Sequence, residues 1–267
     1  MPIDSTSETS FHRSLEIQRR VIGALLLREI ITRYGRHNIG LMWLFAEPMM
    51  FTIGVTTVWS ILDIGHASKV SIAAFALTGY SSLLLWRNTV NRCALAIAPN
   101  VSLLFHRNVR VLDIFLARII LEVAGATISI VVLSILFIAV GLIDPPKDIL
   151  LVIEAWGLLI WFAASLGLVI GALSERFEAV ERIWHVLTYL MFPLSGAAFR
   201  VGWLPTSLRE LVLWVPMVNG TEMLRDGFFG QIGIAYYDQA YFAAVNTSLL
   251  LLGLSLVRET GRRVEPE

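Results

Sequence analysis

The chain has 267 residues, of which 56% are hydrophobic and 16% charged, and its mean hydropathy is +0.71. A soluble domain carries about 25% charged residues, so the composition points to a membrane protein. Lys plus Arg and Asp plus Glu are each 21, which leaves no net charge to attract nucleic acid, and the single cysteine, Cys93, excludes an intramolecular disulfide and a cysteine-built zinc site.

Residues 1–14 are polar and are expected to form a poorly ordered cytoplasmic tail. No cleavable signal peptide is read there, so the first span is expected to be retained. From Leu15 the pattern becomes helical, with Leu15, Ile22, Leu26 and Ile30 near one face, which predicts an amphipathic helix over 15–38. Such a helix either packs on protein or lies in the cytoplasmic interface. The run Leu25-Leu26-Leu27 favours the interface.

Six apolar runs follow, near 39–62, 70–88, 119–141, 149–173, 183–199 and 240–257, and a crossing needs about 20 residues. The fifth is interrupted by Pro193 and Gly196. After it, Trp203 to Val215 is a short apolar stretch closed by Pro216, which suits a re-entrant or interfacial piece better than a crossing. The expected fold is therefore all-α: an interface helix, a six-helix transmembrane domain over 39–257, and a cytoplasmic tail over 258–267. Two connections exceed simple turns, a cytoplasmic one at 89–117 and an outer one at 197–239.

Charge orients the chain. With the N-terminus inside, the outer connections keep five of the 21 cationic residues, Lys69, Lys147, Arg200, Arg209 and Arg225, and the rest face the cytoplasm. That bias is the positive-inside pattern, and it puts both termini in the cytoplasm.

No phosphate-binding loop, H-E-x-x-H or G-x-S-x-G is present. No catalytic, cofactor-binding or metal-binding residue is expected. The histidines are scattered, and only His185 falls in an expected span. Acidic residues inside spans are costly, about 2.5–3.5 kcal/mol each on insertion scales, which singles out Glu47 and Glu122. Glu47 precedes Pro48, where a kink is expected, and either lines a polar cavity or pairs with a neighbouring helix. Glu122 follows Arg118 by four residues, a spacing that allows a pair. In the cytoplasmic loop, Leu103, Leu104 and Phe105 form an apolar knob beside His106, Arg107 and Arg110. It suits docking in a groove of another protein or lying on anionic lipid. Arg28, Arg33 and Arg36 would either meet lipid headgroups or attract anionic cargo.

Three ordered patterns carry a resemblance. They are Arg28-x4-Arg33-Tyr34 with Gly40-x2-Trp43 and Glu47-Pro48; Asn100-x2-Leu103-Leu104-Phe105 with Val109-x3-Asp113-x4-Arg118; and Leu213-Trp214-x-Pro216-x2-Asn219-x2-Glu222 with Arg225. Together they resemble the polysaccharide-export permeases of type-2 ABC exporters, and most of all the capsular polysaccharide export permeases of Gram-negative bacteria. The chain departs from the family at Leu112, where a proline is frequent, and at Asn219-Gly220, where bulkier residues are frequent.

The resemblance implies an inner-membrane homodimer paired with two copies of a separate ATPase, which would supply the ATP and Mg site. It implies export of a lipid-linked polysaccharide, handed to partners in the periplasm and outer membrane. By the same likeness Asn100, Leu103, Leu104, Phe105, Arg107, Arg110, Asp113 and Arg118 would couple to the ATPase. Arg28, Arg33, Arg36, Trp43 and Glu47 would form the cytoplasmic substrate entrance. Trp203, Trp214, Pro216, Asn219, Glu222 and Arg225 would form the outer gate. O-antigen or teichoic acid is the alternative cargo, and a secondary transporter the more distant reading.

Overall fold

The computed structural model describes residues 11–34, 38–62, 71–104, 109–230 and 234–264. Its helices are α1 (Phe11–Tyr34), α2 (Asn38–Ile61), α3 (Ile72–Cys93), α4 (Val101–Leu104), α5 (Val111–Ala139), α6 (Ile149–Ser174), α7 (Glu178–Met191), α8 (Thr206–Leu213), α9 (Pro216–Phe229) and α10 (Gln239–Val264). Short 3-10 turns lie at Ala98–Asn100 and Val201–Trp203, and no strand occurs among the described residues. Residues 1–10 of the expected tail lie outside the described residues, and 11–14 already belong to α1. The expected C-terminal tail is helical as far as Val264.

Among the described residues, four helices are long and apolar enough to cross a membrane: α2 from Met42, α5, α6 and α10. Their outward residues, such as Ile61, Ile135, Leu150 and Leu251, are exposed and form the belt that lipid would cover.

The second expected span, 70–88, corresponds to α3, which is not a lipid-facing helix. It lies in the middle of the bundle against α2, α5, α6 and α9. Most of it is buried, and its composition fits that place. Small residues allow close approach, and its hydroxyls satisfy themselves on their own helix: Thr78 Oγ1 donates to Ala74 C=O (2.9 Å) and Thr89 Oγ1 to Leu85 C=O (2.7 Å). The fifth expected span, 183–199, is the shorter α7. Its helix stops at Met191, before Pro193, and the chain then turns through Gly196 at φ +78°. Fourteen residues of helix reach about 21 Å, short of the roughly 30 Å hydrocarbon core.

α2 carries Pro48 inside the helix, and Thr52 Oγ1 donates to the Pro48 carbonyl (3.0 Å). Just before the proline, Leu44 packs on Gly125 of α5, where a Cβ would sit 2.7 Å from Leu44 Cγ. α6 starts at an Asp148 cap, whose carboxylate accepts the Leu151 N–H (2.9 Å). It packs against α3, α9 and α10 and so forms the axis of the molecule. Two apolar cores result. A large one gathers α3, α5, α6, α9 and α10 around Trp86, Leu159 and Phe242. A smaller one, around Cys93, Phe115, Leu168 and Val257, supports the end that carries α1.

Candidate functional site

At the α1 end, the segment leaving α3 is pinned by its neighbours. The Leu95 N–H donates to Ser174 Oγ (3.1 Å) and the Ile97 N–H to Glu175 Oε1 (2.7 Å), so the foot of α6 grips it. Leu95 adopts φ +48°. A left-handed conformation costs a non-glycine residue of order 1–3 kcal/mol and needs such support. Burial raises the Glu175 carboxyl above its usual range, and the Ile97 N–H pulls against that shift. Asn100 is buried: its Nδ2 donates to Ala96 C=O (2.8 Å), and Arg28 Nη1 of α1 donates to its Oδ1 (2.6 Å). Asp113, also buried, opens α5. One of its oxygens accepts the Arg110 N–H (2.9 Å) and the other accepts Gln18 of α1.

A cluster of alternating charges joins α1, α3 and α5. Arg33 pairs with Glu29 (3.1 Å) and with Glu122, Arg92 with Glu122 (3.6 Å), and Arg118 with Glu29 (3.5 Å). Arg118 Nη1 also donates to Arg92 C=O (2.6 Å). The pair expected from spacing, Arg118 with Glu122, does not form. α1 brings both a closer cation for Glu122 and a closer anion for Arg118.

Between α2 and α3 lies a cavity of about 510 Å3, lined by Glu47, Phe51, Arg87, Asn88 and Asn91 among others. Asn91 Oδ1 accepts the Trp184 Nε1–H (2.9 Å), and the Arg87 guanidinium lies 4.8 Å above the Tyr189 ring, so α7 braces two of the lining residues. From Phe51 a ladder of rings continues: Phe51 to Tyr80 (5.5 Å), Tyr80 to Trp59 (5.6 Å), Trp59 to Phe75 (5.8 Å) and Phe75 to Trp203 (5.2 Å).

At the far end, Arg225 is fully buried and serves as a latch. Nη1 donates to Gly196 C=O and Phe199 C=O (both 2.6 Å), and Nη2 to Ala197 C=O (2.8 Å). Glu222 stands 3.5 Å away and accepts the Val201 N–H (3.2 Å), while the Phe75 ring lies 3.9 Å from the guanidinium carbon. Gly79 of α3 makes room for this arrangement, since a Cβ there would overlap the Ala197 oxygen and sit 2.6 Å from Arg225 Nη2. Asn219 ties the hairpin to α10. Its Nδ2 donates to Leu213 C=O (3.0 Å), and its Oδ1 accepts the Asp238 N–H (2.9 Å). Pro216 begins α9 where its missing N–H is harmless.

A model of the ABC-2 type transporter family matches residues 20–229, most of the chain. The chain belongs to this family. Its relatives include CtrC of Neisseria meningitidis serogroup B, a capsule polysaccharide export inner-membrane protein. CtrC is 50% identical over 260 residues, covering 97% of this chain and 98% of the relative. BexB of Haemophilus influenzae, also named a capsule polysaccharide export inner-membrane protein, is 43% identical over the same shares. The polysialic acid transport protein KpsM of Escherichia coli is 25% identical over 247 residues, covering 91% of this chain and 94% of its own.

Within this ABC-2 chain, the residues expected at the coupling loop separate. Asn100, Leu104 and Asp113 are buried and hold the segment in place. Leu103 is half-buried, Arg110 exposed, and Arg118 engaged in the charge cluster. Phe105 and Arg107 lie outside the described residues. Of the expected entrance, Arg28 and Arg33 turn into the seam between α1 and the bundle, Trp43 is exposed, and Glu47 lines the cavity. Arg36 lies outside the described residues. Of the expected outer gate, Asn219, Glu222 and Arg225 are buried, whereas Trp203 and Trp214 are exposed. Sequence reasoning missed Gln18, Ser174, Glu175, Arg87 and Asn91, whose partners lie 78 to 95 positions away wherever a hydrogen bond joins them. No local pattern marks such residues.

Proposed function

We propose that this chain is the permease subunit of an exporter that carries capsule polysaccharide across the inner membrane, driven by a separate ATPase. The observation that carries this reading is the 50% identity, end to end, with a capsule polysaccharide export inner-membrane protein. The sequence holds no phosphate loop, as expected of a permease driven by a separate ATPase.

The charge bias puts the α1 end in the cytoplasm. There residues 95–100, gripped by α6 and α1, lead into the ATPase docking element, which offers Leu103 and Arg110. The crossings are α2, α3, α5, α6, α7 with its extension, and α10, and α8–α9 re-enter from the outside. Two copies of the chain face each other along α2 and α7, whose apolar residues Met50, Ile53, Ile183 and Val186 are exposed here. The cavity of Glu47, Arg87, Asn88 and Asn91 is then the inner mouth of the path. The accessible rings of the ladder, Phe51, Trp59 and Trp203, form its wall, because pyranose rings slide over aromatic faces without fixed hydrogen bonds, while Tyr80 and Phe75 back them from the core.

Deleting the gene should leave capsule glycan inside the cell, and the wild-type chain should return it to the surface. Glycan at normal surface levels in the deletion strain would refute the reading. The composition of the retained glycan distinguishes capsule from O-antigen or teichoic acid.

A further inference from the structure

A second cavity, of about 440 Å3, opens at the α8 end between α8, the start of α9 and the approach to α10. Small-ligand sites span roughly 300–1,000 Å3. Its corner is aromatic. Trp214 is 73% exposed, and the Tyr241 ring stands 6.0 Å from it at 82°. The Tyr241 hydroxyl donates to Trp214 C=O (2.8 Å), which fixes the corner.

The polar groups of this cavity divide into engaged and open. Asn219 is engaged at both ends, and the Tyr236 hydroxyl accepts from Arg209 Nη1 (2.8 Å). The Arg209 guanidinium also covers the Tyr236 ring, 4.2 Å from its centre. One Asp238 oxygen accepts the Tyr241 N–H (2.9 Å). The other Asp238 oxygen and the Glu210 carboxylate remain open, with no donor among the described residues.

Ionised carboxylates only accept hydrogen bonds. The ligand must therefore bring donors, bring a C–H face for the indole, and carry no negative charge against two carboxylates. A pyranose with free hydroxyls and no acidic group meets all three conditions. An ammonium group would also meet the carboxylates and the open Trp214 face, but it brings no ring to fill a cavity of about 440 Å3.

We infer that this cavity is a binding site for an uncharged pyranose unit of the exported chain. The source rests on the export reading; the sugar chemistry does not.

The test uses the full chain in lipid nanodiscs with its ATPase. The probes are chitotriose, an uncharged N-acetylhexosamine trimer, and trigalacturonic acid, an acidic pyranose trimer of different configuration and linkage, whose charge effect the double carboxylate variant isolates. Chitotriose should bind saturably, and Trp214→Ala should weaken it at least tenfold with unchanged melting, since the side chain is exposed. Trigalacturonate should bind at least tenfold more weakly than chitotriose, and Glu210→Gln with Asp238→Asn should close that gap. No saturable chitotriose binding, an affinity untouched by Trp214→Ala, or equal affinity for the acid overturns the site.

In cells, a photo-reactive phenylalanine in place of the exposed Leu211 should capture glycan only while the ATPase turns over. Equal capture with an inactive ATPase overturns the exported chain as the source. Failure here is separable from failure of the export reading, which the deletion strain tests alone.

Discussion

Arg225→Met removes the latch at the α8 end while keeping most of the side-chain volume. The guanidinium makes three hydrogen bonds of 2.6–2.8 Å to carbonyls, each contributing roughly 1.5–3 kcal/mol for a charged donor. Together they amount to about 4.5–9 kcal/mol, and desolvating the fully buried cation offsets several kcal/mol of that. The variant also leaves Glu222 as a buried carboxylate without its cation. A net loss of about 3–5 kcal/mol is expected. For a domain of this size that corresponds to a fall in melting temperature of roughly 6–20 °C, at about 2–4 °C per kcal/mol. Thermal melting in detergent measures the total, and amide hydrogen exchange locates it, because residues 194–204 should lose protection first. Adding Glu222→Gln should recover part of the loss by removing the stranded charge. A single variant that melts within about 2 °C of wild type, with exchange at 194–204 unchanged, would refute the latch.

Glu122→Ala strips Arg33 and Arg92 of a shared partner; Arg33 keeps Glu29, so a loss of about 2 kcal/mol is expected, with faster amide exchange confined to α1. Gly171→Ala places a Cβ 2.5 Å from Phe115 Cε1 and 2.9 Å from Cys93 C=O, and overpacking there should cost about 1–3 kcal/mol by denaturant melting. Glu175→Ala should cost about 1–2 kcal/mol by releasing the Ile97 N–H, while Glu175→Gln, which keeps an acceptor, should cost less than about 1 kcal/mol in the same measurement. Replacing Arg110 and Leu103 by Glu should abolish co-purification of the ATPase without changing the melting temperature; full recovery of the ATPase would remove 94–110 from the docking role.

Helices α2, α5, α6 and α10 were legible in the sequence because lipid imposes a long uninterrupted apolar run on any helix that touches it. α3 was legible as a helix but not as the buried centre. Its alanines, glycine and hydroxyls lower its hydropathy, yet only neighbouring helices reveal that those residues serve close packing. Pro193 and Gly196 mark an interruption in the sequence, yet the expected span runs through them to 199, whereas the helix ends at Met191. The charge cluster was not legible. Spacing along α5 offers Arg118 to Glu122, and only the approach of α1 substitutes Arg33 and Glu29. The Arg225 latch was beyond reach for another reason: its acceptors are backbone oxygens 26 to 29 residues away, and every residue type carries one. Asn219, Glu222 and Arg225 could be singled out by pattern, but not their burial.

The foot of α6 grips residues 95–97 through Ser174 and Glu175, and its head meets α9, where the Asp148 N–H donates to Gly227 C=O (2.9 Å) and Leu159 packs on Gly220. One unbroken helix of 26 residues, about 39 Å long, therefore touches both residues 95–97 and the hairpin at the opposite end. On the proposed docking role, displacement applied at residues 95–97 would be carried by a stiff lever rather than relayed through loops, and the residues that seat α6 would be control points for transport.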